Sequence, residues 1–142
     1  MTWRRNELAV FGPEVTWLAD AEALKAFRWA WDCSSSTHYG LNAEVFPSIE
    51  RLDVEEPGPE AREWLAKRVG GGDDCLLLVF DKDEVCVVRA AFFLDRWQDV
   101  LCPSRDDVVI LPERGGWALF YCHEDEFEFA TGGPGSPIGC GN

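Results

Sequence analysis

The sequence predicts an α+β domain, an antiparallel sheet of about four to six strands with helices packed mainly on one face. Three observations carry that expectation. Helix-period segments dominate the first half of the chain. Strand-length apolar runs separated by turn residues dominate the second half. At 142 residues, with 46% hydrophobic and 27% charged side chains, the chain has the size and composition of one globular domain. It can bury roughly two-thirds of its unfolded surface and needs no disulfide or metal staple.

Each element follows from local pattern. Residues 1–19 carry the apolar pieces LAVF and VTWL around Gly12-Pro13, which predicts a short strand or extended lead-in. From Asp20, the expected N-cap, AEALKAFRWAW places Leu24, Phe27 and Trp31 on one helical stripe with Lys25 and Arg28 outside. The hydroxyl-rich DCSSSTHYG stops this helix. LNAEVFPSIERLDVEEPGPE is irregular, with a short extended piece at 43–46. A second helix over PGPEAREWLAKRVGGG has Pro59 near its start, Lys67 and Arg68 in its last turn and glycines at 70–72 to end it. Its expected buried face is Ala61, Trp64, Leu65 and Val69.

In the second half, CLLLVF (75–80) and VCVVRA (85–90) read as strands joined by the DKDE turn. AFFLDRWQDVLCP sets Phe93, Trp97, Val100 and Leu101 at helical spacing and stops at Pro103. Two more strands, at 108–111 and 117–121, are joined by Glu113-Arg114-Gly115-Gly116. HEDEFEF (123–129) either stays extended or turns at 123–126, making WALFYC and FEFA a hairpin with acids at its tip. The domain is expected to span 1–130. The stretch 131–142, with five glycines and two prolines, is expected to be a flexible tail.

Charge narrows the function classes. Thirteen Lys and Arg stand against twenty-six Asp and Glu, a formal charge of −13. Such a surface repels nucleic-acid phosphates and anionic lipid, and it attracts basic partners over about a Debye length, ~8 Å at physiological salt. Nucleic-acid and membrane roles are therefore not expected; a basic protein partner is, set against the plain alternative that the acidity only keeps the chain in solution. No run approaches a membrane span, and MTWRRNELAVFG lacks an apolar stretch of signal-peptide length. Six cysteines without a C-x-x-C pair fit a cytoplasmic protein with free thiols. With only two histidines, a closed four-ligand zinc site is not expected, so neither metal ligands nor a cofactor are assigned.

HEDEFEF packs four carboxylates and a histidine into seven positions. It is not a zincin helix, because Phe127 stands where the second histidine ligand belongs. In extended chain Glu124, Glu126 and Glu128 share one side, toward water, while Asp125, Phe127 and Phe129 share the other. The two phenylalanines then anchor the segment in the core. A solvated edge that blocks sheet-to-sheet association competes here with a docking edge. Cys122 and His123, adjacent on a strand, are expected to point to opposite faces and so not to form a nucleophile pair.

The 108–111/117–121 hairpin brings Asp106 and Asp107 to the same end of the sheet as His123. Asp106, Asp107, Glu124, Asp125, Glu126 and Glu128 then form one negative binding patch. On this reading no residue is catalytic. The alternative is a small enzyme using Asp106, Asp107, His123 and Glu124, with or without a divalent metal.

The stretch RWQDVLCPSRDDVVILPERGGWALFYCHEDEFEF resembles small bacterial proteins marked by W-x-D-aromatic, P-S-x-D-D-V and W-x-L-x-Y-x-H-E-x-x-F. The match uses Trp97, Asp99, Pro103, Ser104, Asp106, Asp107, Val108, Trp117, Leu119, Tyr121, His123, Glu124 and Phe127. Val100 stands where an aromatic residue usually follows Asp99. Some such proteins resemble immunity proteins encoded beside polymorphic or contact-dependent toxins. The resemblance implies a protein that neutralises a basic toxin domain by covering its active site. Clustered carboxylates would steer association, and aromatic anchors, Trp117 among them, would hold the complex.

Overall fold

The computed structural model describes residues 3–37, 40–54, 59–70, 74–103 and 105–137. The elements run α1 (Trp3–Leu8), a 3-10 segment (Ala9–Glu14), β1 (Thr16–Trp17), α2 (Asp20–Cys33), β2 (Glu50–Asp53), α3 (Pro59–Val69), β3 (Cys75–Asp81), β4 (Glu84–Arg89), α4 (Ala90–Val100), β5 (Val108–Pro112), β6 (Trp117–Cys122) and β7 (Glu126–Thr131). The seven strands form one sheet in the order β1-β4-β3-β5-β6-β7-β2, antiparallel throughout. The α+β class therefore holds, with one strand more than expected. The surplus comes from the two short edge strands, of two and four residues, which are too brief to show a period.

Burial alternates along the central strands, as a pleated sheet requires. Leu76, Leu78, Cys86, Val88, Val108, Ile110, Leu119, Tyr121, Phe127 and Phe129 enter the core under α3 and α4. Their neighbours Leu77, Val79, Val85, Val109, Leu111, Phe120 and Ala130 enter a second core under α2 and the loop around Phe46. Because β3 and β5 are covered on both faces, they read as unbroken apolar runs rather than alternating ones. Helix α3 buries Ala61, Leu65 and Val69, with Trp64 packed 6.2 Å from the Phe127 ring. Trp97 of α4 meets the same ring edge-on at 5.4 Å. Three of the four helices, α1, α3 and α4, share this side of the sheet.

Several local expectations are corrected. The lead-in is mostly helical, with Leu8 of α1 in the core and Thr16–Trp17 forming a short strand. Ala19, not Asp20, is the N-cap of α2, and Asp20 is its first helical residue. The chain turns at 43–45 rather than extending, and it is Glu50–Asp53 that pairs with β7. In α2 the inward stripe is Ala23, Ala26, Ala30 and Cys33 with Trp29, while Leu24 is 38% and Trp31 68% exposed. Small side chains let the helix approach a sheet face already filled by its own valines and leucines. The bulkier stripe is turned aside.

The expected tail also begins too early. Thr131 belongs to β7, and beyond it the Trp29 indole N–H donates to the Pro134 carbonyl at 3.2 Å. Ser136 donates to the Glu113 carbonyl at 2.6 Å. A Cβ at Gly133 would lie 2.5 Å from the Phe46 ring, and its φ of +83° suits glycine. Residues 132–137 are thus packed against the body, and 138–142 lie outside the described residues.

Candidate functional site

Strand register gathers one rim of the sheet. Asp81 closes β3 opposite Glu84, Val79 pairs with Val109, Val108 with Tyr121, Cys122 with Glu126, and Glu126 with Asp53. The end of β3, the approach to β5, the β6–β7 turn and the end of β2 therefore share one edge. Asp81, Asp107, Glu124, Asp125, Glu126 and Asp53 are strung along it. Arg4, Arg5 and Lys82 sit toward the β4 end of this rim, where Arg4 pairs with Glu84 at 2.8 Å and Arg5 donates to the Asp83 carbonyl.

The hairpin alternative for HEDEFEF is the one adopted. The Asp125 N–H donates to the Cys122 carbonyl at 2.9 Å, and Asp125 takes φ +62°. A type I turn followed by a left-handed residue is a standard three-residue hairpin loop. The Tyr121 hydroxyl donates to Asp125 Oδ1 at 2.7 Å. Asp107 braces the turn from β5, accepting from the His123 backbone N–H at 3.0 Å and lying 2.9 Å from His123 Nδ1. That carboxylate raises the His123 pKa by hydrogen bonding and by charge, with Glu124 adding to it.

Two residues expected in the acidic patch, and the expected anchor Trp117, are elsewhere. Asp106 is only 1% exposed, on the opposite side of its strand from Asp107. It is held by Arg105 at 3.0 Å, Arg4 at 3.3 Å and the Cys102 N–H at 2.9 Å. Burial opposes its charge, but these donors outweigh burial and lower its pKa. Glu128 is 8% exposed rather than solvated, accepting from the Leu41 N–H at 2.8 Å and from Arg51 at 2.9 Å. A Cβ at Gly40 would come 2.7 Å from this carboxylate. The loop following α2 folds over the glutamate and takes it out of water. Trp117 pairs with Thr131 at the far end of β6 and packs on Phe129 at 5.6 Å, so it does not reach the rim.

Beside the rim lies a groove of about 490 Å³ between the end of α2 and the sheet. Phe27 and Trp31, with ring centroids 6.0 Å apart, form one wall. Val79 and Phe120 contribute the floor, hydroxyl residues 34–37 the lip, and Asp107 one end. This is the site's unforeseen half. Its sequence signal was present in the second apolar stripe of α2, which the first alanine stripe leaves without a place in the core.

Cys122 and His123 also depart from expectation. The chain leaves its extended path at 123, so Cys122 Sγ and His123 Nδ1 approach to 3.9 Å. They still do not form an activated nucleophile. A relay needs the thiol and the carboxylate on opposite imidazole nitrogens, whereas here both face Nδ1. Burial, with Asp107, Glu124 and Glu126 adding, also pushes the Cys122 thiol up against the opposing Glu124 N–H. No helix among the described residues is long and apolar enough to cross a membrane. No protein family, curated protein or solved structure matches the chain.

Proposed function

We propose that this chain is an acidic cytoplasmic binding protein whose sheet rim docks a cationic protein partner. The immunity role implied by the toxin-immunity resemblance, with a basic toxin domain as partner, fits this reading. The observation that carries it is the register-enforced gathering of Asp53, Asp81, Asp107, Glu124, Asp125 and Glu126 along one edge. Like charges so gathered repel one another, and a basic surface relieves that repulsion on binding. The adjoining groove suits the stem of a partner lysine or arginine. Phe27 and Trp31 pack its methylenes or guanidinium, and Asp107 meets its charge.

The test is affinity capture from the native host with the wild type and with Glu124→Lys/Glu126→Lys. A basic protein retained by the first and lost by the second supports the reading. Equal retention by both, or recovery of acidic proteins alone, sinks it. Trp31→Ala, tested on the same partner, is expected to weaken capture without touching the charge.

A further inference from the structure

Where the groove meets the hairpin tip, three donor atoms of different chemistry converge. Asp107 Oδ1 lies 2.9 Å from His123 Nδ1, Cys122 Sγ lies 3.9 Å from the same nitrogen, and all three lie within 4.8 Å of one another. We propose that Asp107, Cys122 and His123 form an open three-ligand site for a borderline divalent cation, with zinc the natural fit.

The spacing suits a tetrahedral ion. Zinc bonds of about 2.0–2.1 Å to nitrogen and oxygen and ~2.3 Å to sulfur set N–O and N–S edges near 3.3 and ~3.6 Å. The observed separations differ from these by a few tenths of an ångström, within reach of small side-chain rotations. Clustering about one imidazole nitrogen, which defeats a proton relay, makes Oδ1, Sγ and Nδ1 the corners of one small triangle, and an ion seated over that triangle can take a lone pair from each. The His123 backbone N–H donates to the same Asp107 oxygen, Oδ1, and so holds the carboxylate beside the imidazole.

The donor set also selects the ion. A thiolate and an imidazole disfavour calcium and magnesium, which take oxygen ligands, and favour zinc or cobalt. On binding, the Cys122 thiol gives its proton to solvent. The proton that His123 Nδ1 shares with Asp107 also leaves that nitrogen, passing to solvent while Nε2 keeps or takes up the ring's one remaining proton. The resulting thiolate and the Asp107 carboxylate balance the 2+ charge, and His123 contributes a neutral lone pair. Glu126, paired with Cys122 across β6–β7, shares its face of the sheet and is the carboxylate placed to complete the shell. A closed four-ligand centre is not what these residues build. Three protein ligands with one position left for water, Glu126 or a partner's side chain are. This site does not depend on the docking role, and it is measured on the isolated chain.

The experiment is a cobalt(II) titration of reduced, metal-free protein followed by optical absorption. The wild type is expected to bind cobalt stoichiometrically, with a thiolate-to-cobalt charge-transfer band that zinc abolishes by displacement. Cys122→Ser should lose the band, while Cys75→Ser and Cys102→Ser, at the two half-exposed thiols among the described residues, should keep it. His123→Gln lies in a solvent-facing turn and serves as the second variant. Zinc should raise the thermal midpoint of the wild type but not of His123→Gln. Absence of the band in the wild type, its survival in Cys122→Ser, or an equal zinc shift in His123→Gln would each overturn the site.

Discussion

Asp106 and Asp107 are neighbours with opposite fates, and the residue scale turns on why. Strand alternation alone puts their side chains on opposite faces. Which face is open depends on Arg4, which reaches Asp106 from 102 positions away, and on Arg105, stacked 4.4 Å over Trp3. No local pattern announces such a partner, so the sequence shows a pair of acids and not which one is internal. We predict that Asp106→Asn lowers unfolding free energy by about 3–5 kcal/mol, because it leaves a largely buried guanidinium underpaired. Asp107→Asn, which keeps an acceptor oxygen for the two hydrogen bonds to His123 but loses the charge at a half-exposed turn, should cost about 1 kcal/mol. Urea unfolding of both variants checks the contrast, and equal losses would contradict it. The buried thiols make a second residue-scale prediction. Burial raises Cys33 and Cys86 from 9.0 to about 12, with Asp32 adding at Cys33 and Arg4 partly opposing at Cys86. The unfolded chain then loses these protons at lower pH than the folded one. Stability should be fully present below pH 9.0 and fall as pH rises toward about 12. A urea midpoint that stays flat across that window, or a slope unchanged in Cys86→Ala, would count against this account.

At the scale of elements, the central strands are legible in the sequence, and α2 is legible in all but which of its faces is buried. Runs such as LLLVF and VVIL are confined to strand length by flanking Asp, Gly and Pro, and burial on both faces removes any other period they might show. Helix α2 has its boundaries written in sequence, but two apolar stripes compete for the core. Bulk favours Leu24, Phe27 and Trp31; close packing on the sheet favours Ala23, Ala26 and Ala30, and packing wins. Hydrophobicity alone cannot rank these stripes, because the decision depends on how near the sheet lies. We predict that Trp29→Ala costs about 3–5 kcal/mol, since its indole is buried and ties down Pro134. Trp31→Ala should change stability by no more than about 0.5 kcal/mol. Chemical denaturation separates the two. A large loss for Trp31→Ala would mean that the groove wall is core and not a binding surface.

For the whole molecule, the excess of acid is visible in composition, but its placement is a property of register. Asp53 joins Glu124 and Glu126 only because β2, the strand hardest to see in the sequence, pairs with β7. Glu128 belongs to the same run of acids and is lost to the interior because the Gly40–Leu41 loop closes over it. The central claim is that the rim acids at 124 and 126 serve association and not folding. Its most direct measurement is the association rate of wild type and Glu124→Lys/Glu126→Lys with the captured basic partner across a salt series, with thermal midpoints taken in parallel. The double variant is predicted to keep or slightly raise the wild-type midpoint, to associate more slowly, and to show a flatter salt dependence. A double variant that unfolds, or one that associates at the wild-type rate with the wild-type salt slope, would contradict the claim.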